Sequence, residues 1–274
     1  MKAFILAAGL GTRLKPITDY IPKPLVPIFN VSPLDICVQR IQQAGISDIS
    51  LNTHHLHQKI HEHILKNNYS INISFEENKI LGVGGGIGKL KNYFAGDSVI
   101  VYNADIISNL PLDELIAFHK RSGNWATLGL VKNKPTDIVL TDDLNTITSF
   151  DDKEKNGFTF SGISVISEEI YSRLPENEFY NIIDLYKKII RSNDSYKIKG
   201  LYFDNIFWSD IGNPASYMNL WKEMSAREGF IEYFGISDNS EEYKYFSQSG
   251  SIFIRSDIDL SIRDSLVFNN TIIS

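Results

Sequence analysis

The chain reads as an α/β protein with one mixed sheet flanked by helices, and three features predict it. Apolar runs of strand length alternate with amphipathic helical periodicity along the first half. Helix start and stop residues bracket several of the helical stretches. Strand-like runs with no helix between them follow residue 123, which adds antiparallel strands to an otherwise parallel alternation.

Taken in order, a strand is expected over 2–7, ending in the turn that carries Gly9 and Gly11. Ser32 ahead of Pro33 is an N-cap followed by a first-turn proline, and Gly45 is a C-terminal stop, so a helix runs over 33–44. Strands at 48–52, 71–76 and 97–102 and helices at 56–67, 85–94 and 112–121 complete the alternating part. Strand-like runs at 125–131, 137–140, 146–150 and 158–166 follow, with Asp142 and Asp143 turning the chain between two of them. Asn213 and Pro214 repeat the helix-start signal. In open α/β sheets ligands sit beyond the carboxyl ends of the strands, which points to Ala8, Asn52, Thr53, Asn103, Ala104 and Asp105.

The last fifty residues differ. A charged and aromatic run over 241–246 gives way to Ile254, Leu260, Leu266 and Ile272 at six-residue intervals. That spacing suits the start of a left-handed β-helix; in a tract barely one coil long it suits a hairpin or a subunit-contact strand as well. The expected division is a domain over 1–224 and a β tail over 225–274, and the tail offers a surface for homo-oligomer contact.

The 27 basic and 33 acidic side chains leave a net charge of −6, which argues against nucleic acid or an anionic membrane surface as partner. Any anionic substrate must then be met by a local group of cations. Cys37 is the sole cysteine, so no intrachain disulfide forms, and a buried helix thiol is its default role. No signal-peptide pattern and no bilayer-length apolar run occur, so the cytoplasm is the expected location.

The segment 6–18 (LAAGLGTRLKPIT) carries the chemistry. Gly9 and Gly11 let backbone N–H groups approach phosphate oxygens, and Arg13 adds a planar, permanently charged fork. A dinucleotide fingerprint would need a third glycine where Leu14 stands, and a Walker A loop would need Gly-Lys-Ser/Thr opening a helix where Pro16 follows instead. Together with residues 22–28 (PKPLVPI), this segment resembles the signature of the sugar-1-phosphate nucleotidyltransferases. Residues 81–87 (LGVGGGI), 101–106 (VYNADI), 160–164 (FSGIS) and 208–212 (WSDIG) extend the resemblance, in order, across 1–224.

The resemblance implies a Rossmann-like nucleotide-diphospho-sugar transferase fold and transfer of a nucleotidyl group from a nucleoside triphosphate to a sugar-1-phosphate. It implies that Ala7, Ala8, Gly9, Gly11, Thr12 and Arg13 hold the triphosphate and that Gly84 and Gly85 make room for the base. Lys23 would hold the sugar phosphate, Gly162 and Asp184 would line the sugar pocket, and Asp105 and Asp210 would bind Mg²⁺, a cation that takes carboxylate and phosphate oxygens. Catalysis would rest on Arg13, Lys23 and Asp105. Most arginines and lysines are solvated surface charges, a strand glycine or a helix acid needs no ligand, and Lys15 reads equally as a charge at the loop rim. Val83 stands where relatives often carry threonine, which removes one hydroxyl contact to a base.

Five of the six histidines fall within 54–63, and His57 with His61 has the spacing of a zinc pair; a helix face showing histidines to water has the same spacing. The run 52–56 (NTHHL) resembles the N-acetylmuramate-1-phosphate uridylyltransferase branch, with the mannose-1-phosphate guanylyltransferase-like branch also near. UTP with N-acetylmuramate-1-phosphate or a related hexose-1-phosphate is therefore expected. GTP with mannose- or heptose-1-phosphate, and a non-catalytic sugar-nucleotide-binding subunit, are the alternatives.

Overall fold

The computed structural model describes residues 1–133, 136–153, 156–226 and 233–234, together with backbone strands at 252–255, 265–268 and 272–273. The first half alternates as the periodicity predicts. Strand β1 (Lys2–Leu6) leads through a short helix α1 (Ile17–Tyr20) to α2 (Pro33–Gln43), β2 (Ile49–Thr53), α3 (His57–Lys66) and β3 (Ile71–Phe75). Then come α4 (Gly82–Lys89), α5 (Lys91–Phe94), β4 (Val99–Asn103), β5 (Ile106–Ser108) and α6 (Leu112–Ser122). The second half holds β6 (Ala126–Val131), β7 (Leu140–Thr141), β8 (Ile147–Ser149), β9 (Thr159–Ile166), α7 (Glu168–Tyr171), α8 (Ile182–Ile190), β10 (Ile198–Tyr202), β11 (Trp208–Asp210) and α9 (Pro214–Ser225).

The central sheet has seven strands in the order β10-β6-β9-β4-β1-β2-β3. The strands β3, β2, β1 and β4 run parallel, β9 is antiparallel to both neighbours, and β10 is parallel to β6. The antiparallel part is thus not appended at an edge: β9 is inserted between β4 and β6. Alternation along β1 decides which side chain faces which layer. Ala3 and Ile5 pack with α2, α3 and α6, whereas Phe4 packs with α4, α7 and α8. Helices therefore cover both faces, as a mostly parallel sheet requires.

The predicted caps form. Ser32 Oγ accepts from the Asp35 N–H, and the Asp35 carboxylate accepts from the Ser32 N–H, closing a capping box with Pro33 in the first turn. Asn213 does the same for α9 with Ser216. A third apolar cluster joins Leu14, Ile17 and Phe29 to Trp221 and Met224 of α9, and Phe234, past the expected boundary at 224, is buried in it.

At the C-terminus the strands 252–255, 265–268 and 272–273 pair antiparallel. A β-helix stacks its coils in parallel, so the tail is a meander instead; Ile254 lies opposite Leu266 in it. Leu260 and the run 241–246 lie outside the described residues. Among the described residues no helix is long and apolar enough to cross a membrane.

Candidate active site

Register places the site. Leu6 at the end of β1 lies opposite Asn52 of β2 on one side and Asn103 of β4 on the other, so three strand ends finish level with one another. The segments that follow them enclose a cleft of about 410 Å³, walled by residues 6–13, 80, 82–83 and 103–105, with Lys23, Asn52 and Gly212 at its sides.

Gly11 sits at φ 64°, and a Cβ there would lie 2.7 Å from Thr18 Cγ2. Only glycine fits that conformation and that contact. The Gly11 carbonyl accepts from the Leu14 N–H at 2.8 Å and from Thr18 Oγ1 at 2.8 Å, which folds Thr12–Leu14 into a single tight turn. Leu14 is fully buried and anchors the turn, while Thr12 and Arg13 are exposed at the cleft. Among the described residues Arg13 has no acidic partner, so its guanidinium is free to meet an anion. Lys15 is occupied: it pairs with Asp19 at 2.7 Å on the surface.

Lys23 and Asp105 are 82 residues apart in sequence and meet as a close ion pair, with side chains only 12% and 29% exposed. Asp105 is held by its backbone. The Ala104 N–H donates to the Leu6 carbonyl at 3.1 Å, and the Asp105 carbonyl accepts from the Ile211 N–H at 3.0 Å. β5 and β11 form a separate antiparallel ribbon in which Ile106 faces Asp210, so Asp105 immediately precedes one strand and Asp210 ends the other. The Asp210 carboxylate folds over Gly212, where a Cβ would lie 2.6 Å from its Oδ2.

The chain is similar to known proteins in sequence and fold. A family model described as nucleotidyl transferase matches residues 2–227. The chain belongs to the nucleotidyl transferase family. It is 30% identical over 253 residues to a UTP–glucose-1-phosphate uridylyltransferase of Synechocystis, covering 83% of this chain and 64% of that protein. It is 28% identical over 226 residues to a mannose-1-phosphate guanylyltransferase of Mycobacterium tuberculosis, covering 79% and 62%. The chain thus spans less than two thirds of the length of these curated relatives. The fold is that of HddC from Yersinia pseudotuberculosis, solved with GMP-PN, at a TM-score of 0.65, 24% identity, and coverage of 81% of this chain and 98% of that one. A putative glucose-1-phosphate thymidylyltransferase from Bacillus anthracis, in complex with a sucrose, superposes at a TM-score of 0.69, 18% identity, and coverage of 86% and 100%.

In this member of the family, Ala7, Ala8, Gly9, Gly11, Thr12, Arg13, Lys23 and Asp105 all border the same cleft, whereas Asp210 is not among its lining residues. Gly84 and Gly85 do not border it either. Both lie inside α4, both N–H groups donate to the Tyr180 carbonyl, and a Cβ on Gly85 would sit 2.0 Å from the Glu178 carbonyl oxygen. Their lack of side chains admits the chain segment 178–180, and the cleft wall near them is Ile80, Gly82 and Val83. Gly162 is buried in β9 behind Asn103, and Asp184 is exposed on the first turn of α8; neither borders the cleft.

The histidines are occupied by different neighbours. His54 Nδ1 donates to the Glu76 carbonyl at 2.6 Å, His55 Nε2 donates to the Thr18 carbonyl at 2.8 Å, and His63 meets Asp35 at 2.7 Å. His57 packs on the Phe75 ring, and His61 is exposed. Sequence reasoning missed Glu76, which is 1% exposed and bonded to Asn52 behind the cleft. Nothing in the acidic and polar run 76–79 distinguishes it from a solvated turn; the one available signal is its position at the end of the strand expected over 71–76.

Proposed function

We propose that this chain moves a nucleotidyl group from a nucleoside triphosphate to a sugar-1-phosphate and releases pyrophosphate. The observation that carries the reading is the meeting of Lys23 and Asp105 at the side of the cleft whose floor is the Gly9–Arg13 turn. A cation, a carboxylate and an unpaired arginine around a glycine loop are what two phosphate anions need in order to approach each other.

In the step itself an oxygen of the sugar phosphate attacks the α-phosphorus. A new P–O bond forms, the bond from that phosphorus to the oxygen bridging to the β-phosphate breaks, and the electron pair leaves with pyrophosphate. The acceptor is already an anion at neutral pH, since a phosphate monoester loses its second proton near pH 6, so no side chain need remove a proton. Arg13 neutralises charge that gathers on the leaving pyrophosphate. Lys23 holds the sugar phosphate, and the backbone of Gly9, Gly11 and Thr12 receives the triphosphate.

Asp105 and Asp210 would hold Mg²⁺, and their chemistry fits it: Asp105 lines the cleft just before β5, and Asp210 ends the strand paired with β5, its carboxylate lying over Gly212 at the side of the cleft. When bound, the ion neutralises phosphate charge and orients the α-phosphate. The proposed pair is UTP with a hexose-1-phosphate, N-acetylmuramate-1-phosphate among them. The names of the Synechocystis and Mycobacterium relatives support a hexose-1-phosphate acceptor.

Lys23→Met and Asp105→Asn test the assignment. Each is expected to lower kcat by at least ~100-fold, as loss of a transition-state charge contact does, while melting stays near that of the parent. Parental turnover in either variant would remove that residue from the mechanism.

A further inference from the structure

Behind the cleft, two of its walls are joined by a chain of three hydrogen bonds. The Ala7 N–H donates to Asn52 Oδ1 at 2.8 Å, Asn52 Nδ2 donates to Glu76 Oε1 at 2.7 Å, and Glu76 Oε2 accepts from the Leu81 N–H at 2.7 Å. Asn52 is 3% exposed and Glu76 1%. One end of the chain is the loop proposed to receive the triphosphate; the other is the start of the wall proposed to face the base. Gly86 is shaped by it, because a Cβ there would lie 2.9 Å from Asn52 Nδ2 and 3.1 Å from Glu76 Oε1. The backbone of Glu76 is held too: its N–H donates to the Thr53 carbonyl at 2.8 Å and its carbonyl accepts from His54.

Both ends of this chain are backbone N–H donors, so its interior must supply two more acceptors than donors. Asn52 offers one of each. The group at 76 must therefore accept on both sides, which a carboxylate does and an amide cannot. We infer that Glu76 is a positioning residue that, through Asn52, locks the phosphate loop to the base wall and so sets the width of the nucleotide cleft. The inference rests on the nucleotidyl transfer reading for its ligand, though not for its hydrogen-bond logic.

That logic predicts an exchange. Glu76→Gln leaves one donor facing another whichever way either amide turns. Asn52→Asp places two acceptors face to face. In Asn52→Asp/Glu76→Gln the new carboxylate accepts from Ala7 and from the new amide, whose oxygen accepts from Leu81, so every bond and the single negative charge return.

The experiment compares the four proteins by urea denaturation and by calorimetric titration with UTP and with GTP in the presence of Mg²⁺. Glu76→Gln is expected to weaken nucleotide binding about tenfold, the usual consequence of one unsatisfied buried donor, with KM raised more than kcat is lowered. The double variant is expected to return to within about threefold of the parent in affinity and to recover its denaturation midpoint. A Glu76→Gln variant with parental affinity, or a double variant no better than the worse single, would overturn the inference. So would a double variant that fails to fold alongside its unfolded singles. If the parent binds neither nucleotide, the functional reading fails, and the midpoints alone then decide the hydrogen-bond exchange.

Discussion

His119 lies between two hydroxyls, with Nδ1 3.0 Å from Thr127 Oγ1 and Nε2 2.9 Å from Ser167 Oγ. Ser167 donates to the Asn124 carbonyl and Thr127 accepts from the Asn124 amide, so the network assigns the ring proton to Nε2 and leaves Nδ1 as an acceptor. Burial, and then the nearby Lys120 charge, lower the imidazole from 6.5 to about 4. A depressed pKa means that the folded state holds fewer protons than the unfolded one. Its contribution is complete above pH 6.5 and is lost as pH falls towards about 4. Urea denaturation across that range is expected to show a loss on the order of 3 kcal/mol in the parent, much of it absent in His119→Gln. Equal pH slopes in the two proteins would contradict the assignment. Nothing around His119 in the sequence marks it as enclosed, since Lys120 and Arg121 follow it on the helix. Arg13 and Lys23 were legible as cleft residues for the opposite reason, since each stands in a short run shaped by glycines or prolines, and Asp105 was legible from its place just past a strand end.

Among the elements, α4 runs most clearly against local propensity. Its sequence over 82–89 is GVGGGIGK, and each interior glycine costs a helix about 1 kcal/mol relative to alanine. The helix forms because the segment 174–180 lies directly against it: Cβ atoms on Gly85 and Gly88 would sit 2.0 and 2.1 Å from the carbonyl oxygens of Glu178 and Pro175. Gly85→Ala should therefore destabilise by roughly 2 kcal/mol or more, the cost of overpacking a rigid backbone contact, in spite of its better propensity. A raised melting temperature would show that 174–180 moves aside freely. The expected helix at 85–94 is in fact α4 and α5, beginning earlier than predicted, because a run of glycines reads as loop until its packing partner is known. The capped helix α2 was legible from Ser32, Pro33 and Gly45 because caps are local chemistry. Strand β10 was not: it is short, carries Lys199 and Gly200, and owes its place to β6, with Gly200 admitting the Leu130 side chain.

At the scale of the molecule, alternation in sequence told which segments are strands and which face they bury, since both are properties of periodicity. It could not tell that β9 returns between β4 and β6, because strand order depends on which partners remain unpaired after the parallel half has formed. The site follows from that arrangement. Parallel β1, β2 and β4 end level, the β5–β11 ribbon follows Asp105 on one strand and ends at Asp210 on the other, and the turn at 11–14 brings Arg13 to the same cleft as Lys23. The most direct test is pyrophosphate release by the purified protein with Mg²⁺, measured for four nucleoside triphosphates against glucose-, mannose- and N-acetylmuramate-1-phosphate. Release that requires both a triphosphate and a sugar-1-phosphate, strongest with UTP and a hexose-1-phosphate, is the expected result; no release from any pair by a protein that binds the triphosphate would contradict nucleotidyl transfer in this cleft.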